Sequence, residues 1–293
     1  MKEAERVAVR VSEKVGILDP PREIRAIITE VLEDEGANPS IAAEDTDRLL
    51  KSVTEHLFAI ENSRLNDGQY CSHTFCSEGT HLIQGAGHPD PGIAANVVAT
   101  RVARGALPGW LAHITSLSAR EFEFLCRGVL ATLGCQDPRV TTHSGDQGID
   151  FFGRLSLANR LDNNATLPAL DTDMHLWFAG QAKHRPTARI STDEVRHIIG
   201  SVAMARAGIL ARGGETLEGF KPKYVDPVIV ALITSGTFSR DTHKLITSAG
   251  VIALDRNRLA SFLCDNRIGL DDDETFSQRL ANEWVQANRP AST

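Results

Sequence analysis

The sequence predicts a mixed α/β fold, in which helices cover the faces of a mixed sheet, preceded by a mostly helical N-terminal domain. Three observations support this prediction. Apolar residues recur at helical spacing between residues 24 and 60. From residue 119 onward, helical stripes alternate with strand patterns. The continuous apolar run Val228–Ile233 is typical of a strand that is buried on both faces.

The N-terminal region shows several elements in order. Apolar stripes predict one helix over residues 20–36 and a second over residues 38–63. Residues 65–91 are rich in Gly, Ser, His, Asp and Pro and have little periodicity, which predicts a long irregular loop. Residues 93–104 return to a helical pattern.

A change of composition at residues 107–118 predicts a domain boundary. Pro108 and Gly109 are expected to break one element, and Ser118 is expected to cap the next helix. We therefore predict a mostly helical N-terminal domain (1–116), an α/β domain (117–267) and an acidic helical C-terminal tail (268–293). The role of the N-terminal domain is left open between target sensing, oligomerisation and DNA recognition.

The α/β domain contains helical stripes and strand patterns in alternation. Its predicted helices are 121–133, 191–205, 240–249 and 258–263. Its predicted strands are 139–142, 149–157, 174–183, 228–233 and 251–254. A dense group of turn-forming residues, 144–148, separates the first two strands, and a polar excursion, 159–172, separates the second and third.

Charge is unevenly distributed along the chain. The net charge of −7 is unlike that of a typical nonspecific nucleic-acid binder. Residues 1–118 carry 11 basic and 17 acidic side chains, residues 119–267 carry 18 and 16, and residues 268–293 carry 2 and 5. Of the three segments, only residues 119–267 have a net charge that does not repel a phosphate backbone.

Apolar patterning and cysteine usage indicate the expected compartment. No apolar run approaches the ~18 residues that a membrane span needs, and residues 1–15 lack the apolar core of a secretory signal. The five cysteines are odd in number and widely spread, which argues against a disulfide scaffold. We expect a cytoplasmic protein that does not enter a membrane.

Three polar residues form the most informative constellation. Asp150 follows a glycine turn, and Gln181 and Lys183 lie at the end of a predicted strand, where alternation puts both on one face. If the two strands pair, the three side chains converge. A carboxylate helped by an amide carbonyl suits Mg²⁺, which takes few protein ligands. A neighbouring ammonium would orient a water and stabilise developing phosphoryl charge.

Four sequence blocks carry a family resemblance: Leu117–Glu123, Ser144–Asp150, Gln181–Lys183 and Thr234–Ser239. In order and spacing they resemble the Mrr-type restriction endonuclease catalytic domain of the PD-(D/E)xK nuclease superfamily, over roughly residues 117–264. The resemblance implies a restriction-endonuclease-like fold, metal-dependent phosphodiester hydrolysis and restriction of foreign, often modified, DNA.

The resemblance also implies roles for individual residues. Asp150 matches the metal-binding aspartate, Gln181 the residue that replaces the usual acid in the Q-x-K variant, and Lys183 the catalytic lysine. Glu123 matches a helix acid that often completes the metal site. The excursion between Asp150 and Gln181 is longer than the family pattern, and residues 209–226 resemble a second insertion, so the choice of target stays open.

Basic residues just beyond the candidate site are interpreted as DNA contacts. Arg185, Arg189, Arg196 and His197 are placed to meet phosphates, since contacts to the DNA backbone are mostly basic and independent of sequence. The alternative is an ordinary solvated helix start.

A cluster of zinc-type ligands lies in the N-terminal domain. Cys71, His73, Cys76, His81 and His88 supply N and S atoms of the kind that hold structural zinc. Their spacing fits no zinc ribbon or finger, so we favour a loop with unpaired thiols.

The leading hypothesis is a Mg²⁺-dependent endonuclease of double-stranded DNA, with Mn²⁺ as a substitute metal, acting in antiphage defence. One such site cuts one strand, so a double-strand cut requires a homodimer, a higher oligomer or repeated nicking. One alternative is a catalytically silent nuclease-fold module that binds nucleic acid or a partner. A second is a repair or junction nuclease.

Overall fold

The computed structural model describes residues 2–66, 71–76, 79–88, 95–141, 148–156, 175–209 and 219–290. The chain forms two compact units. One comprises Met1–Trp110 and Ser261–Ser277, and the other comprises Leu111–Ala260 and Gln278–Thr293. These limits are not those of the three predicted domains. None of the helices in the described ranges is both long and apolar enough to cross a membrane.

The first unit combines helices with a small antiparallel sheet. Its elements are α1 (Glu3–Lys14), β1 (Arg22–Glu23), α2 (Ile24–Asp34), α3 (Pro39–Asn66), β2 (His73–Cys76), β3 (Gly79–Gly85) and α4 (Ala95–Arg104). Its core contains Val11, Ile27, Val53, Leu57 and Ile83. Helices α2 and α3 confirm the two predicted helices, although α2 begins after the prolines because Arg22 and Glu23 pair with β3.

The prediction of an irregular loop over residues 65–91 is wrong in the described part of that range. Strands β2 and β3 pair antiparallel, with Phe75 opposite Ile83. Ile83 is fully buried, and the Phe75 ring stacks on Phe58 with centroids 3.7 Å apart. These short strands alternate too weakly to be recognised in the sequence, so it is tertiary packing that fixes them.

The expected break at Pro108 and Gly109 is also wrong, because helix α5 runs through both residues from Leu107 to Ser116. Pro108 lies in the first turn, where a helix needs no backbone N–H donor, so proline is tolerated there.

The second unit contains the α/β elements that were predicted. After α5 they are α6 (Ala119–Thr132), β4 (Gln136–Val140), β5 (Phe151–Ser156), β6 (His175–Lys183), β7 (Arg189–Ile190), α7 (Thr192–Arg206), β8 (Val228–Thr234), β9 (Thr237–Phe238), α8 (Arg240–Ala249), β10 (Ile252–Leu254), α9 (Arg256–Asp265) and α10 (Gln278–Ala287). Of α9, residues 256–260 belong to this unit. Most of the predicted turn at 144–148 and the whole excursion at 159–172 lie outside the described residues.

A five-stranded mixed sheet organises this unit, in the order β10-β8-β6-β5-β4. Strands β6, β8 and β10 are parallel, whereas β4, β5 and β6 are antiparallel. The predicted fold class, a mixed sheet flanked by helices, is confirmed. Because the parallel strands end where β5 begins, residues 149–151, 181–184, 234–236 and 254–256 share one edge, which we call the carboxyl edge.

Helices hold this edge in place. The Ser118 side chain accepts a hydrogen bond from the Glu121 N–H, and the Glu121 carboxylate accepts one from the Ser118 N–H, a capping box that confirms the predicted start of α6. Helix α6 packs on β4, β5 and β6, and α7 packs on β6 and β8. The apolar core under α7 includes Phe152, Trp177, Ile198 and Phe220.

Candidate active site at the carboxyl edge of the sheet

Asp150 is fixed at the point where β5 begins. Its backbone N–H donates to the Gly180 carbonyl over 2.8 Å, and its carboxylate Oδ2 accepts the Ala182 N–H over 2.8 Å. The Asp150 carboxylate therefore takes the place of a backbone carbonyl as the acceptor for one N–H group of β6. Two residues earlier, Gly148 has a positive φ of 72°, and a Cβ there would lie 2.5 Å from the His197 ring, so the approach to Asp150 needs glycine.

Gln181 lies beside Asp150 on the neighbouring strand. The register pairs Phe151 with Gly180, which brings the preceding residue next to Gln181. The Gln181 side chain is buried, with 4% exposure. Its Oε1 has no hydrogen-bond partner among the described residues. A buried acceptor without a donor costs about 1–3 kcal/mol, so it calls for a functional explanation.

Glu123 reaches the same edge from helix α6. Its carboxylate forms an ion pair with Arg120, one turn earlier. Burial, followed by the negative charges of Asp150 and Glu123, raises the pKa of the fully buried Cys126 thiol well above its usual value. Both carboxylates therefore lie close enough to Cys126 to act on its thiol, and their shared role at a metal site stays a prediction.

Arg120 links this helix to Asp150 and was not identified from the sequence. Its Nη1 donates to the Thr141 carbonyl over 3.1 Å as well as pairing with Glu123. The Thr141 N–H in turn donates to the Asp150 carbonyl over 2.9 Å. The i, i+3 spacing of Arg120 and Glu123 was the available signal.

Lys183 is anchored through its backbone at the end of β6. It pairs in register with Thr234 of β8, and its carbonyl accepts the Ser235 N–H over 3.2 Å and the Thr234 hydroxyl over 2.9 Å. Strand alternation puts its side chain on the same face as Gln181. The Thr234–Ser239 block of the sequence thus supports the strand end that carries Lys183.

Three further residues at this edge have buried polar atoms without a partner among the described residues. They are His184 Nδ1, Ser235 Oγ and Arg256 Nε. Burial lowers the pKa of His184, whose ring packs against Phe122 with centroids 5.3 Å apart. Sequence reasoning missed all three, because their burial follows from strand pairing.

The residues predicted to contact DNA flank this edge. Arg185 pairs with Glu194 over 2.7 Å, and Arg196 pairs with Asp193 over 3.0 Å. Arg189 is exposed on β7. His197 is exposed on α7, and its ring lies against Gly148. Two of the four predicted contacts are therefore already engaged in surface ion pairs.

The zinc-type cluster of the first unit has a different arrangement from a metal site. His73 Nδ1 lies 2.9 Å from Ser12 Oγ and 3.6 Å from Cys71 Sγ. In the described part of the chain, no group of three or more His, Cys, Asp or Glu side chains is arranged to hold a metal ion. Cys76 is buried, and His81 is exposed on β3.

The carboxyl edge differs in the chemistry of its side chains, which are two carboxylates and an amide. Asp150, Glu123 and Gln181 offer the hard oxygen atoms that Mg²⁺ prefers, and Mg²⁺ keeps several waters rather than demanding a full protein cage. The Gln181 Oε1, which lacks a hydrogen-bond partner in the part of the chain that the structure describes, is the observation that fits a cation at this position.

Comparison with known protein families supports the resemblance found in the sequence. Residues 114–217 match the Mrr_cat family, which is described as a restriction endonuclease. No match was found among curated proteins.

Solved structures of restriction endonucleases show partial similarity. The MspJI restriction endonuclease in complex with a 27-mer oligonucleotide aligns with 68% of this chain at 19% identity and a TM-score of 0.37. The DNA modification-dependent restriction endonuclease AspBHI aligns with 64% at 17% identity and 0.39. FokI bound to DNA aligns with 89% at 11% identity and 0.35. The alignments span 38%, 40% and 44% of those three chains, respectively.

Proposed function

We propose, from the restriction endonuclease match of residues 114–217 and the geometry of the carboxyl edge, that this chain is a Mg²⁺-dependent DNA endonuclease. The observation that carries the proposal is the buried Gln181 Oε1, which has no hydrogen-bond partner among the described residues and lies beside the fixed carboxylate of Asp150. Asp150, Gln181 and Glu123 would hold the metal, and Mn²⁺ would substitute for Mg²⁺. When bound, the metal supplies Lewis-acid stabilisation of phosphoryl charge.

The protein side chains prepare the site for phosphodiester hydrolysis. Asp150 is held by the Ala182 N–H and by two backbone hydrogen bonds, so its carboxylate needs little reorganisation. Lys183 would donate hydrogen bonds to the attacking water and to the phosphoryl oxygens as negative charge builds on them. Arg120 would hold Glu123 in position from the neighbouring turn of α6.

The biological setting is part of the proposal. The family match supports a DNA-cutting role. We propose that this role is restriction of foreign double-stranded DNA in antiphage defence, and that a homodimer would be the form that cuts both strands. The five cysteines, all within the described ranges, form no disulfide and are buried, which fits the reducing cytoplasm. The first unit would supply target sensing or oligomer contacts.

Plasmid cleavage tests this function. Supercoiled plasmid, methylated and unmethylated, is incubated with the full chain in Mg²⁺, Mn²⁺ or EDTA. Asp150→Asn keeps an acceptor for the Ala182 N–H while removing the charge, and Lys183→Met removes the ammonium. We expect metal-dependent nicking or linearisation that falls at least about 100-fold in both variants.

Matched controls come from helix α8. Asp241→Asn and Lys244→Met remove the same charges from side chains that are 82% and 67% exposed, and both should cut as the wild type does. DNA binding by the wild type without cutting in any metal would favour the catalytically silent binding module. Preferential cutting of branched over plain duplexes would favour a repair or junction nuclease.

A further inference from the structure

Arg256 lies at the carboxyl edge, beyond the residues that the proposed chemistry uses. It follows β10 and begins helix α9. Its backbone N–H donates to the Gly236 carbonyl over 3.1 Å. Gly236 comes two residues after Thr234, the register partner of Lys183. The backbone thus ties Arg256 to the strand end that also holds Lys183.

The turn at Gly236 is closely packed, so this position is well defined. A Cβ on Gly236 would lie 2.3 Å from the Ala188 carbonyl oxygen and 2.5 Å from that of Arg185. The segment carrying Arg185 and Arg189 therefore crosses directly over the turn. Three arginines, Arg185, Arg189 and Arg256, belong to the segments that meet at this glycine.

Five arginines of the second unit form ion pairs within the described ranges, whereas Arg256 forms none. Neither a hydrogen bond from its guanidinium nor an ion pair is found within the described ranges, and its Nε is buried. The adjacent Asp255 carboxylate instead accepts the backbone N–H groups of Asn257 over 3.1 Å and Arg258 over 2.9 Å. Nearby, the fully buried Ser235 Oγ also has no partner among the described residues.

A guanidinium whose buried Nε has no acceptor among the described residues destabilises the free protein, because a buried donor loses water without gaining an acceptor. Such a group is explained if its acceptor arrives with the substrate. A phosphodiester oxygen is the acceptor that suits a guanidinium, since the fork of N–H donors matches phosphate geometry.

We propose that Arg256 binds a backbone phosphate of the DNA next to the phosphate that is cut. This inference rests on the proposed nuclease function. Strand β10, which precedes Arg256, lies two strand spacings from β6, which carries Lys183, on the order of 10 Å. We therefore assign Arg256 to a neighbouring phosphate rather than to the reacting one. Its contact positions the DNA strand across the edge and carries no sequence preference.

The salt dependence of DNA binding tests this assignment. Fluorescence anisotropy with a labelled duplex of about 30 base pairs is measured over a range of KCl in the Asp150→Asn protein with Mg²⁺, so that binding is observed without cutting. Adding Arg256→Ala should raise the dissociation constant about tenfold. It should also reduce the slope of log affinity against log salt by about 1, the change expected for one lost phosphate contact.

Three companion variants make the result specific. Arg256→Lys keeps the charge and should keep the salt slope. Arg256→Gln should reduce the salt slope as much as Arg256→Ala does. It serves in place of Arg256→Ala if the alanine protein unfolds. Arg279→Ala removes an arginine that is 71% exposed and paired with Glu283, and it should bind as its parent does.

Equal affinity and equal slope for the Arg256→Ala and Arg279→Ala proteins would overturn the assignment. Plasmid cleavage by the same variants with Asp150 restored separates the two claims. If the wild type cuts but the Arg256 variants bind normally, only the Arg256 inference fails. If the wild type neither cuts nor binds DNA, the nuclease function fails and the inference fails with it.

Discussion

The two ends of strand β6 differ in how many of their buried polar atoms have hydrogen-bond partners. At the amino end, the buried Asp226 carboxylate accepts hydrogen bonds from Lys223 N–H (2.8 Å), His175 N–H (3.3 Å) and Trp177 Nε1 (3.2 Å). At the carboxyl end, four buried polar atoms have no partner within the described ranges: Gln181 Oε1, His184 Nδ1, Ser235 Oγ and Arg256 Nε. The amino end has one such atom, His175 Nδ1.

This difference distinguishes polar groups that stabilise the fold from polar groups that are available to bind substrate or metal in the same sheet. Burial alone would raise the pKa of Asp226, but hydrogen bonds from Lys223, His175 and Trp177 outweigh it and lower that pKa. Asp226 is therefore stabilised as an anion by donors that belong to the fold. The four atoms at the other end have no such partners within the described ranges, and the cost of burying them is explained if substrate and metal supply the partners.

The largest effect that we expect from a change at either end of β6 is a loss of stability on substitution of Asp226. Asp226→Ala should lower the free energy of unfolding by about 3 kcal/mol, because several buried donors lose their acceptor. Urea unfolding measures this loss, with Asp241→Ala as a control on an exposed carboxylate. Plasmid cleavage per folded molecule should stay at the wild-type level. Lost cleavage in a protein that remains folded would contradict a purely structural role.

A second prediction extends the comparison to the first unit, where His73 is fully buried and hydrogen-bonded to Ser12. Burial lowers the pKa of His73 to about 4. The unfolded chain then binds the proton more tightly than the folded chain does. The contribution of neutral His73 to the free energy of unfolding is therefore fully present above about pH 6.5 and is lost as the pH falls towards 4. The loss should reach about 2 kcal/mol at pH 5.

Urea unfolding followed at pH 7 and pH 5 tests this prediction. His73→Gln should flatten the pH dependence, whereas His81→Gln, on an exposed histidine of the same sheet, should leave it unchanged. The same pH dependence in the wild type and both variants would show that His73 is not its source.

A smaller effect is expected at Arg120, which contacts Glu123 and the Thr141 carbonyl. Arg120→Ala should slow cleavage about tenfold, the effect of losing one charge-assisted hydrogen bond, and should raise the Mg²⁺ concentration needed for half-maximal rate. Arg120→Lys should recover part of the rate. The double variant with Glu123→Gln should be no worse than Glu123→Gln alone. If the rate losses of the two single variants add up in the double variant, Arg120 does not act through Glu123 at the metal site.

Local patterns in the sequence identified much of the second unit. Ser118 and Glu121 mark the start of α6, and the apolar run Val228–Ile233 identifies β8, because capping and continuous burial are readable from neighbouring residues. Asp150, Gln181 and Lys183 were named from the strand pattern and the family resemblance. Their shared edge follows from the pairing of β5 with β6.

The rest depended on contacts between distant parts of the chain. Arg256 is brought to the carboxyl edge by the parallel pairing of β10 with β8, and no local pattern indicates that pairing. The hairpin β2–β3 was missed for the same reason, because the burial of Ile83 against α1, α2 and α3 outweighs a weak strand pattern.

The most direct test of a functional carboxyl edge is Gln181→Met, measured by urea unfolding and plasmid cleavage on the same preparation. Methionine keeps the length of the side chain and removes the amide, whose oxygen has no partner among the described residues. We predict a cleavage rate reduced at least about 100-fold, with a free energy of unfolding that is unchanged or higher by about 1 kcal/mol. A destabilised protein that still cuts at the wild-type rate would contradict the account, because Gln181 would then serve the fold and not the site.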